Sequence, residues 1–170
     1  MRLSCIGAIS LLVILAVSSP LAKGTVTRIT IEGRDLTSPL EIDDPKVAGR
    51  FNVWAGAGAV RGRGGVEETE GFIIDWASGA VAAPRPELLR YTVSFFAWNP
   101  LRNVESLVYI VFYTYDSSTQ QGYVYLPGKG DKEYRLNVST ILRMREGNWF
   151  RATASWQRVV TPLIASGNPK

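Results

Sequence analysis

The sequence predicts an α+β fold: a mostly antiparallel β-sheet of about six to eight strands, a short helix after the opening hairpin and a C-terminal amphipathic helix. Three observations carry this prediction. Runs of β-branched and aromatic residues alternate in polarity with a period of two, as in TVTRITIE (Thr25–Glu32) and LRYTVSFFAW (Leu89–Trp98). Asp43-Asp44-Pro45 combines a carboxylate that accepts orphan N–H groups with a proline preset for a first helical turn. Trp156, Val159, Val160 and Leu163 fall at i, i+3, i+4 and i+7, the stripe of a helix with one apolar face.

Residues 1–22 read as an export signal: Arg2 is the positive start, Cys5–Val17 the apolar run, and Ser18, Ser19 and Ala22 the small-residue end. Cleavage is expected between residues 18 and 24. The apolar run is shorter than the roughly 17–25 residues of a spanning helix, so no stable membrane anchor is expected after cleavage. Cys5 lies where it leaves with the signal. Residues 23–170 then form one β-rich domain, secreted or periplasmic.

In TVTRITIE, Val26, Arg28 and Thr30 share one face, and Thr27, Ile29 and Ile31 the other. The chain turns at Gly33 into a second strand through Leu40 and Ile42, which Pro39 assigns to a sheet edge. The short helix runs to about Phe51. The segment Ala55–Gly71 replaces the apolar rhythm with glycine, arginine and glutamate and reads as a long solvated loop. LVYIVFYTY (Leu107–Tyr115) is apolar on both faces, hence central. The polar loop Asp116–Gly122 joins it to Tyr123–Leu126 in a hairpin. Pro127–Gly130 is a turn before a strand at Tyr134–Val138. Ile141–Arg143 and Trp149–Arg151 are expected to pair around Glu146-Gly147-Asn148, and Pro162 is expected to kink or stop the last helix near Thr161.

Composition narrows the chemistry. The chain has no histidine and a single cysteine, Cys5, so the domain lacks the side chains of serine–histidine, cysteine–histidine and zinc-hydroxide mechanisms, and no metal or cofactor is expected. Arg2 is the signal's one basic residue and no acid accompanies it, so the excess of 19 basic over 15 acidic residues falls to about +3 in the domain. That charge lacks the dense basic stripe of nucleic-acid binding. Gly56-x-Gly58 lacks the spacing of a dinucleotide fingerprint, and Arg61-Gly62-Arg63-Gly64-Gly65 is a single copy without interleaved aromatics.

Two groups of residues remain as candidate sites. If the protein is an enzyme, Asp75 in GFIIDW pairs with Glu70, or with Glu67 or Glu68, as the two carboxylates of a glycoside hydrolase. The competing reading makes Asp75 the cap of a turn at Ser78-Gly79. Helix capping likewise accounts for Asp43 and Asp44, which with Glu41 lack the alternation of a calcium loop. The aromatic inventory, five tryptophans and seven tyrosines, is the stronger lead, because flat rings are low-entropy contact surfaces. A register pairing Tyr115 with Tyr123 also pairs Tyr113 with Tyr125 and puts four rings on one face, whereas an odd sum of paired numbers splits them. Trp54 and Trp76 bracket the glycine-rich segment, lining a groove there or packing in the core.

The stretches RITIEGRDLTSPLEIDDP, FNVWAG, GFIIDWASGAV, GYVYLPG and NWFRA resemble those of a family of small exported bacterial proteins of unknown function. The resemblance spans most of the domain. It implies export and a single domain, and it supplies no catalytic residue. The expected function is therefore a non-enzymatic binding or interaction domain whose extracytoplasmic ligand is a glycan, a peptide or a protein. A carboxylate-based hydrolase and a structural accessory subunit docking through the edge strand near Pro39 stand as the alternatives.

Overall fold

The computed structural model describes residues 25–59, 72–100 and 102–167. The expected export signal and the acids Glu67, Glu68 and Glu70 lie outside the described residues. In chain order the elements are β1 (Val26–Glu32), β2 (Leu40–Ile42), α1 (Pro45–Ala48), a single 3-10 turn (Trp76–Ser78), β3 (Ala80–Val81), β4 (Arg90–Asn99), β5 (Val104–Asp116), β6 (Gln121–Tyr125), α2 (Tyr134–Thr140), β7 (Trp149–Arg151) and α3 (Ala154–Gly167). Among the described residues the strands form one antiparallel sheet in the order β2-β1-β4-β5-β6-β7-β3. The fold is α+β, with β5 central and the Pro39-preceded β2 at one edge, as the sequence predicts.

Period-two alternation assigns each strand a core face. Ile29 and Ile31 on β1, Tyr91, Val93 and Phe95 on β4, Tyr109, Val111 and Tyr113 on β5, Val124 on β6 and Phe150 on β7 are all buried. α3 covers this face: the Trp156 indole meets Phe51 edge-on at 5.0 Å and Tyr113 at 6.1 Å. Each large side chain buried this way contributes about 1.5–3 kcal/mol, so the sheet and α3 hold one another. Val26 joins the core face although it stands an odd number of residues from Ile29. A bulge between Val26 and Arg28 inserts the extra residue and corrects the simple alternation expected for β1.

The segment after β6 departs from the expected strands. Tyr134–Val138 lies in helix α2, not in a strand, because β5 needs an edge cover there. β6 pairs only with Phe112–Asp116, which leaves the earlier part of that β5 edge without a strand. α2 supplies the partner: Ile110 N–H donates to Asn137 Oδ1 at 2.8 Å, Asn137 Nδ2 donates to Ile110 C=O at 2.6 Å, and the Thr140 hydroxyl donates to Val108 C=O. A fully buried side-chain amide thus does the work of a strand residue. Tertiary demand overrides the β propensity of Tyr, Val and Thr.

The expected hairpin around Glu146-Gly147-Asn148 is also replaced. Gly147 N–H donates to Leu126 C=O at 2.7 Å and Leu126 N–H donates to Asn148 C=O at 3.1 Å, so the turn returns the chain to β6. β7 then pairs with β6 and β3, while Ile141–Arg143 is irregular. α3 continues through Pro162 to Gly167 and does not stop near Thr161. Both Pro162 and Arg158 are exposed, so the carbonyl that loses its partner meets water, and burial of Trp156 and Val160 outweighs the lost bond. α1 is a single turn, shorter than expected, with Asp44 Oδ1 accepting from Lys46 N–H at 2.8 Å.

At the β1 end of the other face, Glu105 accepts from Thr27 and from Arg28, whose guanidinium lies 4.0 Å from the Phe96 ring centroid. The Arg28 hydrogen bond holds the Glu105 carboxyl below its ordinary range. A lowered folded-state pKa contributes stability that is present above the ordinary glutamate range and lost as pH falls through the lowered value. Glu105→Gln should therefore be less stable than the parent at neutral pH, with the difference shrinking on acidification, as read by urea midpoints across the acid range. Asn137→Ala should cost about 2–3 kcal/mol in urea unfolding, because two backbone groups of β5 lose their partner.

Candidate functional site

One of the two predicted tryptophans, Trp76, belongs to a buried arginine. Arg143 is 2% exposed and sends its guanidinium into the core face. Nη1 donates to the carbonyls of Ala55 at 2.9 Å and Ala57 at 2.8 Å, Nη2 donates to that of Val53, and Nε donates to the Tyr109 hydroxyl at 3.1 Å. The rings of Phe72, Trp76 and Tyr109 surround it, with centroids 4.9, 5.1 and 5.4 Å from the guanidinium carbon. Ala55, Gly56, Ala57 and Ala59 are buried, so the start of the glycine-rich segment is core and not a solvated loop; residues 60–71 lie outside the described residues. Gly56 adopts φ 85°, and a Cβ there would stand 1.9 Å from Trp76 Nε1. Trp54 and Trp76, both half-buried, pack against this core.

Asp75 caps the 3-10 turn. Its carboxylate accepts from Ala77 N–H at 3.1 Å, from Ser78 N–H at 3.4 Å and from the Ser78 hydroxyl. Its backbone N–H donates to Arg151 C=O at 2.9 Å and ties the turn to β7. This is the capping arrangement. Glu70, its proposed partner, lies outside the described residues.

The four tyrosines divide between faces. The β5–β6 register pairs Tyr113 with Val124, Tyr115 with Gly122 and Phe112 with Tyr125, an odd sum throughout, which corrects the expectation of a single tyrosine face. A four-residue loop sets that register. Asp116 accepts from Ser118 N–H at 2.9 Å and from the Ser118 hydroxyl at 2.6 Å, closing the turn so that Asp116 meets Gln121. Tyr113 is fully buried under α3, and burial pushes its hydroxyl pKa above the usual tyrosine range. Tyr115 is half-buried in an open groove of about 450 Å³ between the hairpin tip and α3, lined also by Gln120, Gln157, Arg158, Thr161 and Pro162.

Tyr123 and Tyr125 face the other way, and register aligns them with Phe112, Trp149 and Arg90. One row across the sheet reads Glu32, Thr92, Phe112, Tyr125, Trp149, Val81. The row beside it reads Arg90, Thr114, Tyr123, Arg151. Phe112 and Tyr125 lie nearly parallel at 13° with centroids 6.2 Å apart, and Tyr125 and Trp149 are 5.2 Å apart. All three rings are half-buried. The Tyr125 hydroxyl donates to Asp131 Oδ2 at 3.0 Å, and the same oxygen accepts from Gly128 N–H at 2.7 Å, which fixes that ring against the turn after β6. Burial is the main cause that raises the Tyr125 hydroxyl pKa, with the Asp131 bond adding to it. Phe112, Trp149 and Arg90 become readable once the hairpin loop is taken as four residues, the length Asp116-x-Ser118 favours.

No family profile matches the chain, and neither a curated protein nor a solved structure shows significant similarity to it. No helix among the described residues is long and apolar enough to cross a membrane.

The two aromatic groups separate experimentally. Arg143→Met should lower the unfolding free energy by about 3–5 kcal/mol, because buried carbonyls lose their donors. Gly56→Ala should destabilise comparably, through the collision with Trp76 and the strained φ. Trp149→Ala, on the open face, should shift thermal unfolding far less than either, which differential scanning calorimetry checks.

Proposed function

We propose that this is an exported, non-enzymatic binding domain whose ligand is a glycan laid across the ring row Phe112–Tyr125–Trp149. The observation that carries the reading is the position of those rings. They stand side by side on the sheet face opposite α3, where a solvent-facing strand ordinarily places polar residues. Rings held in a row, Phe112 and Tyr125 nearly parallel and Trp149 tilted 41° from Tyr125, offer pre-ordered apolar contacts to the C–H groups of a sugar, and little side-chain entropy is lost when one binds. Export through residues 1–22, and kinship with small exported bacterial proteins, belong to the same proposal. Tyr113 and the Trp54–Trp76 pair take structural roles in it, Tyr123 and Tyr125 remain with the ligand surface, and Phe112 and Trp149 join them. Asp75 supports a cap rather than a hydrolase.

Trp149 gives the test an intrinsic reporter. The protein should be retained on immobilised polysaccharide and change its tryptophan fluorescence on binding, and Trp149→Ala should weaken retention tenfold or more while far-ultraviolet circular dichroism stays unaltered. Equal retention of the parent and a folded Trp149→Ala variant would remove the ring row from the function. Tyr113→Ala is unsuited to this test, because it opens the core.

A further inference from the structure

We infer that the glycan is acidic, with Arg90 as the group that binds its carboxylate; this rests on the reading that a saccharide occupies the ring row. Arg90 leaves β4 on the open face, and its guanidinium carbon lies 5.5 Å from the Phe112 centroid and 5.6 Å from that of Trp149. It is thus drawn over the row of rings from the neighbouring row. Arg151 is exposed at the other end of Arg90's own row, with Tyr123 between.

Two other arginines of the sheet and its loops are already answered by acids. Arg28 is matched by Glu41 and Glu105, and Arg85 by Glu87 and Asp116. Neither Arg90 nor Arg151 has a carboxylate within ion-pair distance among the described residues, and the Arg90 guanidinium spends none of its N–H groups on a described hydrogen bond. A guanidinium held by rings with its fork of donors unspent is already placed for a bidentate carboxylate. An uncharged glycan would leave this positive charge without a counterpart when it covered the row. An acidic peptide would supply the charge, but not the repeated C–H faces that a row of adjacent rings contacts. Polarity along the row adds direction: exposed Glu32 stands at its β1 end, so the acid of the ligand lies toward β5–β7.

The test compares polygalacturonate with its methyl-esterified form, which keeps the sugar and removes the charge, and with a neutral glucan. Binding is read by tryptophan fluorescence and calorimetry on the exported protein. The acid form should bind at least tenfold tighter than the ester, and the advantage should shrink as salt is raised. Arg90→Gln should weaken binding of the acid form tenfold or more and abolish the acid–ester difference. Arg158→Gln, the same charge change on α3 across the sheet, should leave both affinities unaltered. Equal binding of acid and ester, or acid binding untouched by Arg90→Gln, overturns the inference while leaving the saccharide reading in place. Equal losses from Arg90→Gln and Arg158→Gln overturn it as well, since net charge alone would then explain them. Failure of all three polysaccharides to bind overturns both readings.

Discussion

The buried guanidinium of Arg143 is the constraint around which the rest of the chain is arranged. A charge removed from water is tolerated only where its hydrogen-bonding capacity is met, and here backbone carbonyls from Val53, Ala55 and Ala57 and the Tyr109 hydroxyl converge on it. Those carbonyls belong to an irregular segment with no sheet to satisfy them, so each side answers the other's need. The requirement propagates outward. Ala55–Ala59 must approach Trp76 and the Leu142–Arg143 backbone closely, which only glycine permits at positions 56 and 58. Residues 141–143 must turn a side chain inward, and therefore run irregularly beside the sheet instead of pairing in it.

One consequence is a strict separation of the two faces. Core-face rings are packed, and two of them are hydrogen-bonded: Tyr91 donates to Asp35 at 2.8 Å and Tyr109 accepts from Arg143, while Tyr113 meets Trp156 edge-on. Gly122 reinforces the arrangement, since a Cβ there would stand 2.6 Å from the Tyr113 hydroxyl. Its N–H donates to Gln157 Oε1 at 2.6 Å, fastening α3 to the β5–β6 hairpin. With α3 seated so firmly on one face, the opposite face of β4–β7 carries its rings and arginines independently of the core.

Much of the fold was legible in the sequence, and the failures share a cause. Period-two alternation located β1, β4, β5 and β6, Asp44-Pro45 located α1, and the stripe from Trp156 to Leu163 located α3, because local patterns and burial agreed there. α2 was illegible since its reason, the open edge of β5 at Val108–Ile110, lies about 30 residues away in the chain. β3 is two residues long and has almost no pattern to read. The candidate site is half legible: the aromatic inventory points to Tyr123 and Tyr125, but the expected hairpin register is one residue off. A single-residue slip exchanges faces, so it hid Phe112 and Trp149 and promoted Tyr113, a core residue. Arg143 was invisible because nothing local marks an arginine for burial.

The open face departs from what folding alone asks of this sheet. Its edges are guarded: Pro39 precedes β2, and Pro84 and Arg85 follow shortly after β3, where a bare edge invites pairing with another chain. A chain that blunts its edges has little structural reason to set Phe112, Tyr125 and Trp149 side by side outside the core, under a guanidinium that no acid among the described residues answers. Polar residues on those three strands would complete the same ladders and expose less apolar surface. Places where local choices disagree with the demands of the fold are where function is expected to be written. In this molecule Arg143 and the ring row are two such disagreements, and the carbonyls and rings of the core answer the first. The second is met only by Arg90 and by the Asp131 bond to Tyr125 among the described residues, and the proposed ligand surface rests on what that leaves open.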